Sequence, residues 1–372
     1  MLPRRFSPTA IYCEFIDAVH DLTDPTIEAL ALQANACLTL GSQMYHDLLH
    51  VILDDYRSGG ISHRILKDAS DRPVHDATPL RLLGALHRIV LDGRDQQLAR
   101  HYESVGGQAT SSLKEDALSA LEACESEIRE ALTQQVQTNE PGRSLCHLAL
   151  SHWFAHLGIK DFDLLEVGAS AGLTMSFDRY CLRLPEGVVG DPSSSLEFPP
   201  SWIETSFPFH ESPALCRTRR GVDISPIDVT TDSGVNRLLS FVWPDQHDRF
   251  RRLRLAIELT RQQPHHIDKA SVDTWLPEQL IDQPSRPVLV FHSIVWQYLS
   301  VDVQNSFRES LFEFGRRATA TTPLIWARME PAGRVADIQV TIWDGASVSD
   351  WNLGTIGYHG QSLQWSPTRR TQ

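Results

Sequence analysis

The sequence predicts a mixed α/β fold in which an all-helical region precedes a domain built on a sheet. Apolar residues recur at three- and four-residue spacing through much of the first 136 residues, which is typical of amphipathic helices. From about residue 161, short apolar runs of strand length alternate with helical stretches, as in a parallel sheet. The chain has 372 residues, and single cores rarely grow beyond about 250–300 residues. We therefore predict two domains, 1–145 and 146–372.

The helical region is predicted from three segments with helical spacing, residues 26–55, 79–92 and 112–136. Glycines at 59–60 and 106–107 separate them, because glycine lowers the cost of leaving a helix. No alternation typical of strands interrupts these segments. We expect a helical domain that caps the second domain and selects a small molecule.

The second domain is predicted to contain buried parallel strands, each followed by a helix. The apolar runs that predict them are 163–167, 220–224, 267–272, 287–291 and 323–327. Two later runs, 338–343 and about 351–358, are separated only by a short turn. Strands joined so closely must pair antiparallel, because a parallel crossover needs about a dozen residues or more. The expected sheet is therefore parallel with a C-terminal antiparallel hairpin, a Rossmann-like arrangement.

Composition argues against several classes of partner. Lys and Arg number 34 against 47 Asp and Glu, and the net charge of −13 disfavours attraction of the whole surface to nucleic acid or anionic lipid. No stretch approaches the roughly 18 apolar residues that a membrane span needs, and the start of the chain has no apolar run typical of a signal peptide. Six cysteines are scattered without a C-x-x-C pair. We expect a cytoplasmic protein with no nucleic-acid or membrane partner; the oligomeric state stays open.

Two histidine pairs could suggest a metal centre. His46 and His50 are four residues apart, as are His152 and His156, so each pair shares a helix face. Neither pair has an identifiable third ligand, and such pairs are more often structural. We expect no metal.

One motif dominates the second domain. A predicted buried strand runs into Glu166 and is followed by Gly168, Ser170 and Gly172, then Leu173, where a helix is expected to begin. Small residues at such a turn let backbone N–H groups approach a ligand. A carboxylate two residues before the first glycine would repel a phosphate but attract the amino group and sulfonium of S-adenosylmethionine. The motif favours that cofactor over a nicotinamide dinucleotide, although a tight turn without a ligand is the simpler alternative.

Two further acids support a ligand site at one edge of the sheet. Asp223 ends the next predicted strand and can accept both hydroxyls of a ribose. Asp273 lies just past the third strand, where a carboxylate can sit beside an adenine amino group. Ligands of such sheets bind at the carboxyl ends of the strands.

These features resemble the class I S-adenosylmethionine-dependent methyltransferases, through the E-x-G-x-S-x-G turn and the acids after strands two and three. The whole chain is more closely similar to a bacterial family known as domain of unknown function 2332. The segments that carry this second resemblance are PLRLLGALHRIVLDG (79–93), QTNE with Arg143 (137–143), LLEVGASAGLTMSFDRY (164–180), RRGVDISPIDV (219–229), FVWPDQHDRFRRL (241–253), VFHSIVWQYLS (290–300) and HGQSLQW (359–365). The sequence departs from the methyltransferase pattern at Ser170, which replaces the central glycine, and in an insertion of about 181–220 that could form an added hairpin.

The methyltransferase resemblance implies roles for individual residues. Glu166 would bind the methionine amino end, Asp223 the ribose and Asp273 the adenine. The remaining residues expected to contact the cofactor are Gly168, Ser170, Gly172, Leu173, His292 and Ser293.

A second group of residues is expected to bind or activate the acceptor. His292 follows the fourth strand and could act as a base or orient the acceptor, together with Glu140 or Arg143. Residues expected to line the acceptor site are Asn139, Tyr298 and Glu330. The simpler alternatives are a strand-end histidine satisfied by backbone groups, a helix cap at 137–143 and core packing for Tyr298.

The expected function is therefore methyl transfer from S-adenosylmethionine to a small molecule whose identity the sequence leaves open. A non-catalytic sensor or scaffold with the same fold is the main alternative. An enzyme of other chemistry on that fold is a third, because fold alone does not determine function.

Overall fold

The computed structural model describes residues 24–282 and 284–370. The first residues of the chain, on which the expected absence of a signal peptide depends, lie outside this part. The chain divides into two compact units. The helical unit comprises the residues up to Thr138 together with Thr230–Arg254, and the sheet unit comprises Asn139–Val229 and the chain from Leu255 onward.

The described helices are α1 Pro25–Thr39, α2 Gln43–Arg57, α3 Ile61–Leu66, α4 Thr78–Leu91, α5 Gln96–Ala99, α6 Leu113–Ala123, α7 Glu125–Leu132, α8 Ser144–His156, α9 Asp232–Leu239, α10 His247–Gln262, α11 Val272–Gln279 and α12 Val301–Gly315. The helical unit contains α1 to α7, α9 and the first half of α10. Its first two helices begin at side-chain caps: the Asp24 carboxylate accepts from the first amides of α1, with Pro25 at the first position, and the Ser42 hydroxyl caps α2. A core of leucine and isoleucine side chains from α2, α4, α6 and α7 holds the unit together.

The described strands are β1 Asp161–Val167, β2 Cys181–Leu184, β3 Gly187–Gly190, β4 Glu197–Phe198, β5 Leu215–Asp223, β6 Ile267–Lys269, β7 Val288–Ser293, β8 Leu324–Ala332, β9 Val335–Trp343, β10 Val348–Ile356 and β11 Gln364–Arg370. Eight of them form one sheet in the order β11-β10-β9-β8-β7-β1-β5-β6. The five strands from β8 to β6 pair in parallel, and β8 to β11 pair antiparallel. The mixed α/β class with a large, mostly parallel sheet is thus confirmed.

The antiparallel part is larger than the single hairpin predicted. Strand β8 turns directly into β9 at Gly333, which has a φ of 79°, and β11 adds a fourth strand. The extension of β8 was not predicted, because its second half contains Arg328, Glu330 and Pro331 and lacks the apolar run of a buried strand.

Two other elements differ from the predictions. The strand expected over 267–272 ends at Lys269, because α11 begins at Val272. The helix expected after Gly172 is a six-residue 3-10 helix, Thr174–Arg179. Its backbone is non-helical at Ser176, and the chain then passes into β2. The insertion contains the expected hairpin, since β2 and β3 pair antiparallel, and β4 joins them in a separate small sheet.

Helices cover both faces of the large sheet. Helix α8 packs on one face, where Phe154 contacts Phe162 of β1. Helices α11 and α12 pack on the other face against Val288 and Val290 of β7. Alternate residues of each strand therefore point to different helices. No helix within the described residues is long and apolar enough to span a bilayer.

Candidate functional site

The loop that follows β1 has an unusual backbone. Gly168, Ser170 and Gly172 all have positive φ values, 70°, 53° and 74°, a region that non-glycine residues rarely adopt. Space is also restricted at Gly168, because a Cβ atom there would lie 2.7 Å from a methyl group of Val295. The loop therefore needs its first glycine for both conformation and packing.

Asp223 at the end of β5 holds this loop in place. The backbone N–H of Ser170 donates to its Oδ2 at 2.9 Å, and that of Ser225 donates to Oδ1 at 2.8 Å. The Gly168 and Ala169 amides both donate to the carbonyl oxygen of Val222. The glycine loop and the acid expected to bind a ribose are thus in direct contact.

The Ser170 side chain is buried without a partner. Its residue is 6% exposed, and its Oγ has no hydrogen-bond partner among the described residues. Buried hydroxyl groups are normally satisfied by protein, water or a ligand. The described residues supply no partner for this hydroxyl, and because it is buried a bound molecule would reach it only where the loop moves aside.

The segment 139–143 also reaches the loop. Asn139 Oδ1 accepts from the Leu173 amide at 2.8 Å. The Glu140 carboxylate, 4% exposed, accepts from the Gly142 amide and lies 3.6 Å from His359 Nδ1. Arg143 Nε donates to the Tyr358 carbonyl oxygen at 3.0 Å. Asn139 thus stabilises the loop, whereas Glu140 and Arg143 contact the segment that precedes β11.

Glu166 is a deeply buried carboxylate whose contacts lie inside the protein. It is 2% exposed, and Thr174 Oγ1 donates to its Oε1. Its Oε2 lies 3.4 Å from Nε2 of the buried His147. The His147 ring packs between Phe177 and Phe291, with centroid distances of 5.2 and 4.0 Å. Glu166 therefore points to the α8 face of the sheet.

His292 points to the opposite face. Its neighbour on β1 is Val167, whereas Glu166 pairs with Phe291. Nε2 of His292 accepts from the Trp326 indole N–H at 3.0 Å, so Nδ1 carries the proton and donates to Glu330 Oε1 at 2.6 Å. With both nitrogens engaged and the residue 1% exposed, His292 can take a proton from an acceptor only if Trp326 moves away.

Glu330 organises the turn after β7. In addition to the His292 proton, its carboxylate accepts from the amides of Val295 and Trp296 at 3.2 and 3.3 Å. Val295 is also the residue that closes on Gly168. The pair of His292 and Glu330 is therefore connected through Val295 to the glycine loop.

The remaining candidates lie apart from these contacts. Asp273 is in the first turn of α11, where Ser271 Oγ donates to it. Tyr298 is 57% exposed, so the core packing considered for it does not occur. Ser293 ends β7. Among the described residues, no group of three or more His, Cys, Asp or Glu is placed to hold a metal ion.

Sequence reasoning missed His147 and Trp326. His147 lies in α8, whose residues from Ser144 to Phe154 are all buried, so no periodicity distinguishes it from its neighbours. Trp326 is in a predicted strand, and only the fold shows that its indole faces His292.

A family comparison places this chain among bacterial relatives. The profile of the family described as "Uncharacterized protein conserved in bacteria (DUF2332)" matches residues 27–365. The chain belongs to the DUF2332 family. Searches of curated proteins and of solved structures gave no match.

The DUF2332 match covers both units, from α1 to β11. It includes the glycine loop, Asp223 and the His292–Glu330 pair. The resemblance to this family stated from the sequence segments is thus confirmed.

Proposed function

We propose that this DUF2332 protein binds S-adenosylmethionine at the loop of residues 168–172 and transfers its methyl group to a small molecule. The single observation that carries the proposal is the buried Ser170 hydroxyl, which lacks a partner at the centre of a left-handed loop after β1. Strand order gives further support, because the chain moves from β1 to β5 on one side and to β7 on the other. In open α/β sheets, ligands bind at such a switch point.

The residues present fit this cofactor in part. Asp223, at the carboxyl end of β5, would accept ribose hydroxyls in addition to the loop amide that it already binds. Glu166 would act on a methionine amino group through the electrostatic field of a buried carboxylate, since its side chain faces α8. The roles expected for Asp273 and Ser293 stay predictions, as does the Rossmann-like methyltransferase fold.

When bound, the cofactor would supply an electrophilic methyl group. The chain would contribute mainly position, for which effective molarities of about 10⁵–10⁸ M are available. His292, held by Glu330 and Trp326, would orient the turn of Val295 that packs on the loop. An acceptor that is already unprotonated needs no general base. The helical cap expected over residues 1–145 stays a prediction, as do the acceptor-site roles of Asn139, Glu140, Arg143 and Tyr298.

Binding measurements on serine variants test the cofactor. Loss of one neutral hydrogen bond, about 0.5–1.5 kcal/mol, predicts that Ser170→Ala weakens S-adenosylmethionine binding about 2- to 13-fold. Ser62→Ala is the matched control, because Ser62 Oγ is also buried without a partner but lies in α3. Equal affinity of the wild type and Ser170→Ala would contradict a contact at this hydroxyl.

A non-catalytic sensor is the second candidate, and the engaged state of both His292 nitrogens favours it. Formation of S-adenosylhomocysteine during incubation with bacterial small-molecule extracts distinguishes the two. Turnover that disappears in His292→Ala while cofactor affinity is kept supports the enzyme. Cofactor binding without turnover in any extract supports the sensor.

A further inference from the structure

A cavity of about 390 Å³ lies on the face of the sheet that carries α12. Its walls include Trp296, Trp326, Arg308, Arg328 and Asp337. The cavity exists because β8 turns directly into β9, so the connection contains no helix that could cover these strands. Its volume is typical of small-molecule sites, about 300–1,000 Å³.

Arg328 is held at the cavity wall by neutral groups. Its Cζ lies 4.0 Å from the Trp326 ring centroid. Nε donates to Gln339 Oε1 at 3.2 Å, and Nη1 donates to Thr341 Oγ1 at 3.3 Å. Thr341 in turn donates to Asp350, which leaves its hydroxyl oxygen to accept from the arginine. The guanidinium is therefore fixed in position by its ring contact and two hydrogen bonds.

Arg308 extends from α12 into the same cavity. Its Cζ lies 4.6 Å from the Trp296 ring centroid, and the Trp296 and Trp326 rings are 5.9 Å apart. Among the described residues, neither Arg308 nor Arg328 has a carboxylate oxygen within 4.0 Å. The guanidinium groups of Arg308 and Arg328 thus stack on two neighbouring tryptophan rings without a close counter-ion.

The surrounding charges only partly compensate them. Burial lowers the pKa of Arg328 to about 10; the charges of Arg308 and Arg370 act in the same direction, and those of Asp350 and Glu330 oppose it. Arg328 is thus cationic at neutral pH. Glu330 is already bonded to His292 and two amides. An anion in the cavity would relieve the repulsion between the two arginines.

We propose that this cavity binds a small organic oxyanion, a carboxylate or a phosphate, through Arg308 and Arg328. Stacking on an indole leaves the N–H groups of a guanidinium directed outward. In Arg328 the bonds to Gln339 and Thr341 use Nε and Nη1, so the Nη2 group is the one that would pair with such an anion. The ligand body would lie against the tryptophan edges. His292 and Glu330 also line the cavity. The inference does not depend on methyl transfer, because the anion would pair with Arg308 and Arg328, which have no role in the proposed cofactor site.

Calorimetric titration without S-adenosylmethionine tests the inference. The probes are benzoate, phenyl phosphate and the uncharged methyl benzoate. We expect saturable binding of at least one anion and none of the ester. Binding of benzoate alone assigns a carboxylate site, and binding of phenyl phosphate alone assigns a phosphate site. Failure of both anions to bind at 10 mM, about 2.7 kcal/mol of affinity, or equal binding of the ester, would overturn the proposal.

Arginine variants locate the binding. Arg308→Met and Arg328→Met are each expected to weaken anion affinity by at least about tenfold, as for the loss of a charged hydrogen bond. Arg316→Met is the matched control, since Arg316 also stacks on a ring of α12, Phe312, at 4.7 Å but does not line the cavity. Arg308 is exposed, so its variant keeps the test valid if Arg328→Met does not fold. Unchanged anion affinity in Arg308→Met would contradict the assignment.

Discussion

Replacement of Glu330 with alanine is expected to lower the free energy of unfolding of the sheet unit by about 3–5 kcal/mol. Glu330 accepts from three donors, His292 Nδ1 at 2.6 Å and the amides of Val295 and Trp296 at 3.2 and 3.3 Å. The His292 donor is buried, and a buried donor without an acceptor costs about 1–3 kcal/mol. The two amides are partly accessible to water, so we assign them about 1 kcal/mol each.

His292 cannot avoid this cost by changing its tautomer. A proton moved to Nε2 would face the indole N–H of Trp326, which now donates to that nitrogen at 3.0 Å. Glu330→Gln keeps one acceptor oxygen but loses its charge, so we expect a smaller loss of about 1–1.5 kcal/mol. Against a total stability of about 5–15 kcal/mol, both effects are measurable.

Urea denaturation followed by circular dichroism and tryptophan fluorescence measures these losses. The chain has two compact units, so each transition is fitted separately, and only one should shift. Glu313→Ala, an exposed change on α12, is the control and should stay within about 0.5 kcal/mol of wild type. A Glu330→Ala variant within about 1 kcal/mol of wild type would refute the hydrogen-bond arrangement described for His292.

Three further predictions concern the loop and its surroundings. Gly168→Ala should lower the free energy of unfolding by about 2–5 kcal/mol through left-handed strain and overpacking, because its methyl group would lie 2.7 Å from the nearest side-chain carbon. Gly333 is also left-handed but has open space around it, so Gly333→Ala should lose only the strain contribution of about 1–2 kcal/mol. Equal losses of the two variants in urea denaturation would contradict the close packing at Gly168. Asn139→Ala should cost about 1–3 kcal/mol by leaving the Leu173 amide without its acceptor, and it should speed hydrogen exchange at that amide; unchanged exchange would count against the bond. Burial lowers the pKa of His265 to about 4, whereas a histidine of the unfolded chain has a pKa of about 6.5. The unfolded chain therefore binds more protons between these two values, and the free energy of unfolding falls as the pH drops from about 6.5 toward about 4. The decrease is at most about 1.4 kcal/mol per pH unit for this group. Thermal unfolding from pH 7 to 4.5 should show a shallower decline in His265→Gln, and parallel curves would exclude this residue as a source.

The sequence predicted the contacts that depend on strand ends. The loop follows β1 and Asp223 ends β5. Because these strands are adjacent and parallel, their carboxyl ends lie at the same edge of the sheet. These inferences need only the order of the strands.

Contacts that depend on the face of the sheet could not be predicted. Glu166 and His292 are each the next-to-last residue of a strand, but the pairing of Val167 with His292 puts them on opposite faces. A shift of one residue in this pairing would have placed them together, and nothing in the apolar runs determines it. The His292–Glu330 bond likewise requires β8 to extend beyond its apolar half.

The antiparallel half of the sheet shows the same limit. Arg328 and Asp337 are polar residues of the neighbouring strands β8 and β9, and both line the cavity. Polar residues on one face of a strand interrupt the apolar run from which a buried strand is predicted. The direct turn from β8 to β9 is what places both residues on one face of the sheet.

Titration with S-adenosylmethionine and S-adenosylhomocysteine, with NAD as control ligand, tests the central claim most directly. Asp223→Asn is compared with Asp344→Asn, since Asp344 also accepts from backbone amides, at Ala346 and Ser347, but lies in the turn between β9 and β10. We predict binding of both adenosyl ligands but not NAD, weakened about 13- to 160-fold in Asp223→Asn, as for 1.5–3 kcal/mol, and unchanged in Asp344→Asn. Absence of binding at millimolar ligand, or equal weakening in both variants, would contradict the proposed cofactor site.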